Sequence, residues 1–176
     1  MPADLFSWSE NISILNDLGN LSREQADWAM REILDNRASN NEIKDFLLAI
    51  KAKGESAVEV SAMVDEMYRH AAPISIKERA VDTVGTGGDG AHTINISTTS
   101  AIIAAAAGAR VVKHGNRAAS SKSGSAALLE ALVVAISLDG VSVATTVPEL
   151  GIGFFFLPVF HPPLPLSGPA RKDTGL

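Results

Sequence analysis

Residues 81–98 read VDTVGTGGDGAHTINIST: a short apolar run, four glycines within six positions (Gly85, Gly87, Gly88 and Gly90), then threonine, asparagine and serine. Such a stretch is costly to order, because glycine loses more conformational freedom on folding than any other residue. What it offers is backbone. Without a Cβ, successive peptide N–H groups approach a ligand closely and form an anion-binding nest. The stretch before it, AVDTV (80–84), reads as a strand, and STTSAIIAAAAG (97–108) reads as a buried helix stopped by Gly108. Further on, ARVVK (109–113) and GIGFFFL (151–157) read as strands, with SGSAALLEAL (123–132) as a helix between them. Strands alternating with helices imply an α/β domain with a mainly parallel sheet. In such sheets ligands bind beyond the carboxyl ends of the strands, where the glycine loop lies.

Towards the N-terminus the pattern changes. Residues 1–75 read as a small all-helical domain, and 76–176 as part of a larger α/β domain, with Pro73 marking the break. LSREQADWAMREILDNR (21–37) pairs Ser22 with Gln25 as a capping box, and Ala26, Ala29, Met30, Ile33 and Leu34 form a stripe at helical spacing. ESAVEVSAMVDEMYRH (55–70) repeats the device with Ser56 and Glu59. Between them NNEIKDFLLAIKAKG (40–54) is expected to start on Asn40 or Asn41 and stop at Gly54. SWSENISILNDLG (7–19) adds a shorter helix, and Trp28 and Met30 read as core or interface residues.

Composition narrows the function. With no cysteine among 176 residues, thiolate metal sites and thiol nucleophiles are excluded. The N-terminus lacks the basic and apolar regions of a signal peptide, and AIIAAAAGA (101–109) is too short to span a bilayer, so a cytoplasmic protein without a membrane partner is expected. A net charge of −5 argues against nucleic acid as a partner. Within this acidic chain, positions 90–129 carry no acidic residue but do carry Arg110, Lys113, Arg117 and Lys122. That basic island suits a small, highly charged anion, and also suits a solvated basic surface.

Gly85, Gly87 and Gly90 satisfy the letter of G-x-G-x-x-G, yet the acidic residue that should follow about 20 positions on is missing, so the dinucleotide reading fails. A P-loop motif is also absent. Thr93, Asn95 and Ser97 would share a face in alternating geometry, and Ser97 or Thr98 is the expected N-cap of the alanine-rich helix. KHGNRAASSKSGS (113–125) combines charge, glycine access and short hydroxyls; it suits the far side of a polyphosphate site and equally a plain polar loop. His92, His114 and His161 have no acidic neighbour in sequence to orient them, so no dedicated catalytic base is expected.

Taken together, DTVGTGGDGAHTINIST (82–98) and VVKHGNRAASSKSGSAALLEAL (111–132) resemble the two signature stretches of the anthranilate phosphoribosyltransferase family. The likeness runs on through the helical half and ELGIGFFFLPVFHPPLPLSGPAR (149–171). It implies a nucleoside phosphorylase/phosphoribosyltransferase-like fold, Mg2+ as cofactor, a homodimer formed through the helical domain, and phosphoribosyl transfer from 5-phosphoribosyl 1-pyrophosphate to the amine of anthranilate. By position, the resemblance assigns Gly85, Gly88, Asp89, Thr93, Asn95, Ile96, Ser97, Thr98, Lys113, His114, Gly115, Asn116, Arg117, Ala118, Ala119, Ser120, Ser121 and Ser125 to phosphoribosyl pyrophosphate. It assigns Gly85, Asn116 and Arg171 to anthranilate, and Ser97 also to magnesium. Three departures stand out: members continue well past this point with an acidic pair that binds magnesium, Ala127 and Val133 replace an expected aspartate and glycine, and Pro165 stands where a basic residue is commoner. Pyrimidine nucleoside phosphorylases share the implied fold, but KHGNR (113–117) speaks against them; a phosphate-binding or dimerising chain without turnover is the non-enzymatic alternative.

Overall fold

Four serine-capped helices open the chain: α1 (Trp8–Asn16), α2 (Arg23–Leu34), α3 (Asn40–Lys53) and α4 (Ala57–Arg69). The computed structural model describes residues 6–84, 94–117, 124–163 and 168. It divides into two units, Met1–Ala71 with His161–Leu176, and Ala72–Phe160. Ser22 with Gln25 and Ser56 with Glu59 form the expected capping boxes. α3 differs: its cap is Ser39, whose hydroxyl accepts from Glu42 N while Glu42 Oε2 accepts from Ser39 N at 2.8 Å. The box needs a Glu or Gln side chain three positions after the cap, and of these three residues only Ser39 has one; Asn40 and Asn41 are followed at that distance by Ile43 and Lys44.

The core of this helical unit is aromatic. Trp8 lies 5.2 Å from Trp28 and 5.6 Å from Phe46, ring centre to ring centre, with Leu15, Ile33 and Ile43 around them. Glu59 is wholly buried beside this core, where its cap role extends into a buried polar knot. Oε1 accepts from Leu21 N at 2.9 Å, while Oε2 accepts from Lys53 Nζ and from Ser56 N, each at 2.7 Å. One carboxylate thereby ties the α1–α2 connection, the end of α3 and the start of α4.

At the other end of α4, His70 joins the C-terminus of α2. Its Nε2 lies 2.9 Å from Asp35 Oδ1, and its Nδ1 lies 3.0 Å from the Glu66 carbonyl. The Asp35 carboxylate, and then that carbonyl, raise the His70 pKa above the ordinary 6.5. A raised folded pKa contributes stability that is complete below 6.5 and lost as pH climbs through the folded value. The melting temperature is therefore expected to fall as pH rises across that window, and His70→Gln to flatten the dependence; thermal melts at a series of pH values check this.

The second unit runs α5 (Ile96–Ala106), β1 (Val111–Gly115), α6 (Ser125–Ala131), α7 (Gly140–Leu150), β2 (Ile152–Phe156) and α8 (Leu157–Phe160). β1 and β2 pair in parallel, from Val111↔Ile152 to Gly115↔Phe156. The expected strand 80–84 is reduced to a single parallel bridge, Val81↔Val111. Past Val81 the segment is held instead by the side chains of Asp82 and Thr83. α5 was expected to be buried, but only Thr98 and Ala101 are; Ile96 and Ile103 are 60% and 62% exposed. A helix apolar all round needs cover on every side, and among the described residues α5 packs mainly on β1 and α6.

α7 is a helix not foreseen from the sequence. Asp139 Oδ1 accepts from Ser142 N at 2.8 Å to start it, and left-handed Gly151 ends it. Its Val143 and Val147 press on β2 so closely that a Cβ at Gly153 would sit 2.6 Å from Val147 Cγ2.

α6 ends in a Schellman turn: Val134 N donates to Leu129 O at 3.0 Å and Val133 N to Glu130 O at 2.9 Å. The central residue of that turn must be left-handed, and Val133 adopts φ 62 with 92% exposure. A β-branched side chain is strained there and packs against little in return. Val133→Gly is expected to stabilise the unit by about 1 kcal/mol, relief of strain outweighing the extra freedom of glycine in the unfolded chain. Urea unfolding of the two chains measures it.

Candidate functional site

The site forms where β1 ends and α5 and α6 begin. Asn95 is the N-cap of α5, its Oδ1 accepting from Thr98 N at 3.0 Å. This corrects the expected cap at Ser97 or Thr98. It also ends the alternating geometry expected between Asn95 and Ser97, since Ser97 already lies in the first helical turn; Thr93 lies outside the described residues. The amide of asparagine reaches the N3 backbone N–H as well as a hydroxyl does. Ser97 and Thr98 are thereby placed at the positive end of an 11-residue helix.

Thr98 Oγ1 donates to Ser125 Oγ at 2.9 Å, joining the first turns of α5 and α6. Ala126 N donates to Asn116 O at 3.3 Å, and this ties the end of β1 to α6. Gly115 permits the close approach: a Cβ there would be 2.8 Å from Ser125 Cβ and 3.0 Å from the Phe154 ring. Thr83 Oγ1 donates to Ser97 O at 2.8 Å. The described parts of the two sequence stretches thus meet through side chains as well as through the Val81 bridge.

Alternation along β1 sends Lys113 and His114 to opposite faces. Lys113 is buried, donates from Nζ to His114 O, and lines a cavity of about 480 Å³ with Phe154 and Leu129. Burial depresses its pKa below the ordinary 10.5, an effect that the nearby Asp82 charge opposes. His114 is half-exposed, and its Nδ1 bonds Asp82 Oδ2. Asp82 stands 32 positions away in sequence, so the acidic neighbour that sequence reading did not find is supplied by the fold.

Arg117 is turned towards Glu130, with Nη1 and Nη2 at 2.8 and 2.6 Å from the two carboxylate oxygens. Its guanidinium also lies 5.7 Å from the centre of the Phe156 ring. The basic island is therefore partly neutralised by Glu130, the acidic residue that closes it. Asn116 Oδ1 accepts from Arg117 N at 2.8 Å, and Ile96 is exposed beside the α5 cap. Of the residues singled out in the sequence, Asn95, Ser97, Thr98, Lys113, His114, Gly115, Asn116 and Ser125 converge on this rim. Gly85, Gly88, Asp89, Thr93, Ala118, Ala119, Ser120, Ser121 and Arg171 lie outside the described residues. Sequence reading assigned no site role to Asp82, Thr83 and Glu130. Asp82 and Thr83 stand in the quoted stretch, but only their partners give them one.

Comparison with known proteins adds to this geometry. Residues 77–176 match the family model described as glycosyl transferase family, a/b domain, and residues 10–71 match its helical bundle domain. The anthranilate phosphoribosyltransferase of Rhodococcus jostii (strain RHA1) is 48% identical over 170 residues, 97% of this chain and 47% of its own. That of Acidothermus cellulolyticus is 52% identical over 176 residues, the whole of this chain and 50% of its own. The crystal structure of the Thermus thermophilus anthranilate phosphoribosyltransferase superposes with a TM-score of 0.85 at 40% identity, covering 94% of this chain and 51% of that one. The Saccharomyces cerevisiae enzyme in complex with PRPP and Mg superposes at 0.82 and 25% identity, over 97% and 52%. The chain spans about half the length of the curated relatives it matches.

Proposed function

Because this chain belongs to the glycosyl transferase family whose a/b domain matches residues 77–176, we propose that it binds 5-phosphoribosyl 1-pyrophosphate and transfers the phosphoribosyl group to the amine of anthranilate, releasing pyrophosphate. The observation that carries this reading is the Thr98–Ser125 bond. It brings together the first turn of α5 and the segment after β1, the two stretches assigned to phosphoribosyl pyrophosphate, in a chain whose relatives bear the name of that transferase.

The chemistry follows from the residues. The positive pole of α5 and the cation of Arg117 attract the diphosphate, and Asn95, Ser97 and Thr98 offer short polar groups beside it. As the C1–O bond of the ribose breaks, its electron pair passes to pyrophosphate, and fixed donors stabilise that growing charge without reorganising. Gly85 and Asn116 would border the anthranilate ring, and Arg171 would hold its carboxylate in a fork.

Among the described residues no group of three His, Asp or Glu is placed to hold a metal. The donor that Ser97 presents is a single hard hydroxyl oxygen, which fits Mg2+ carried mainly by phosphate oxygens and water rather than by a protein cage. When bound, the ion would neutralise charge on the diphosphate. Dimerisation through the helical unit is supported by the exposed apolar residues Val58, Val60, Val64 and Tyr68 of α4.

The test is to mix the chain with anthranilate, phosphoribosyl pyrophosphate and magnesium and follow anthranilate fluorescence. Loss that requires all three is expected. Unchanged fluorescence with folded protein contradicts the reading, and phosphorolysis of uridine would assign the chain to the nucleoside phosphorylases instead.

A further inference from the structure

We propose that Asp82 is a positioning residue that holds His114 as the general base of the transfer, an inference that rests on the reaction proposed above. The Val81↔Val111 bridge sets the segment carrying Asp82 alongside β1 in parallel. One residue past the bridge on one side and three past it on the other, Asp82 and His114 fall on the same face, opposite Lys113. Asp82 Oδ2 meets His114 Nδ1, and the imidazole keeps 45% of its side chain exposed, open to a substrate.

A carboxylate against Nδ1 demands an N–H there. The neutral ring is therefore the Nδ1–H tautomer, with its lone pair on Nε2. Among the described residues no hydrogen bond occupies that nitrogen. The attacking aromatic amine carries a proton that must leave once nitrogen has bonded to C1 of the ribose. In the proposed step the N–C1 bond forms, the C1–O bond breaks with its electron pair on pyrophosphate, and the proton passes from nitrogen to His114 Nε2. Asp82 stays ionised throughout and stabilises the imidazolium. Its place in sequence explains why composition alone pointed to no base: the pair exists only when the two segments are side by side.

The test reads the tautomer first, by NMR of ¹⁵N-histidine-labelled protein with His114 in its neutral form. The wild-type chain is expected to show Nδ1–H at His114, and Asp82→Asn, near-identical in shape, to shift the population towards Nε2–H. In the fluorescence assay Asp82→Asn is expected to lower kcat by about ten- to a hundredfold while leaving the Kd for phosphoribosyl pyrophosphate unchanged. A wild-type His114 found as Nε2–H overturns the inference whatever the activity, and so does an Asp82→Asn chain with unaltered kcat. A wild-type chain that holds Nδ1–H and binds both substrates without forming product overturns the base assignment. A chain that binds neither substrate instead removes the transfer reading on which the inference rests.

Discussion

Glu59→Ala is expected to destabilise the helical unit by about 3–5 kcal/mol, enough to unfold a marginal domain. The substitution leaves Lys53, whose side chain is 4% exposed, without its counter-ion, and it removes the acceptor of Leu21 N and Ser56 N. Burial resists ionisation of Glu59, but the Lys53 ammonium and the backbone N–H groups of Ser56 and Leu21 outweigh it and hold the carboxyl near pKa 2. A depressed folded pKa contributes stability that is present above the ordinary 4.5 and lost as pH falls towards 2, the opposite sense to His70. Glu59→Gln, which keeps one carbonyl acceptor, should retain part of the stability. Replacing the pair together, Glu59→Leu with Lys53→Met, should recover much of what Glu59→Ala loses, since no buried charge is then left unpaired. Urea unfolding followed by circular dichroism separates the three. A Glu59→Ala chain as stable as wild type would show that the knot contributes nothing.

The second large effect belongs to the site. Arg117→Ala is expected to weaken binding of phosphoribosyl pyrophosphate by about ten- to a hundredfold, the loss that follows when a charged phosphate contact is removed. The same change should leave the melting temperature nearly unaltered, because the Arg117–Glu130 pair is 60% and 39% exposed and surface pairs of this kind contribute little to folding. The pair also sets a competition. To reach a phosphate, Arg117 must leave a bidentate carboxylate, and Glu130 repels the arriving anion. Glu130→Gln is expected to bind the sugar diphosphate up to about fivefold tighter. Titration of all three chains decides it. Weaker binding in Glu130→Gln would mean that the carboxylate orients the guanidinium rather than competing for it.

Local signals were readable; long-range pairings were not. Ser22 and Ser56 name their helix starts because a cap and its partner stand three residues apart in the chain. Ser39 carries the same signal with Glu42, but the two asparagines that follow it are equally good caps by residue type. α7 was hidden by valine and threonine, residues that suit strands, although Asp139 and Gly151 mark its two ends. The stretch 80–84 reads as a strand from its apolar residues, yet past Val81 it is held by Thr83 to the Ser97 carbonyl and by Asp82 to His114. Such contacts have no sequence signature. In the same way the basic island could be counted residue by residue, while the Glu130 that offsets Arg117 could not be assigned to it without the turn of α6. Val133 was legible as a departure from the resembled family; its cost became legible only with φ 62.

In the proposed reaction the rim formed by α5, β1 and α6 grips a diphosphorylated pentose. Calorimetric titration of the folded chain with phosphoribosyl pyrophosphate and magnesium examines that claim most directly. Saturable heat from a single site, weakened in Arg117→Ala and diminished by added salt, is the predicted result. Absence of heat from a chain whose circular dichroism is that of folded protein would contradict it.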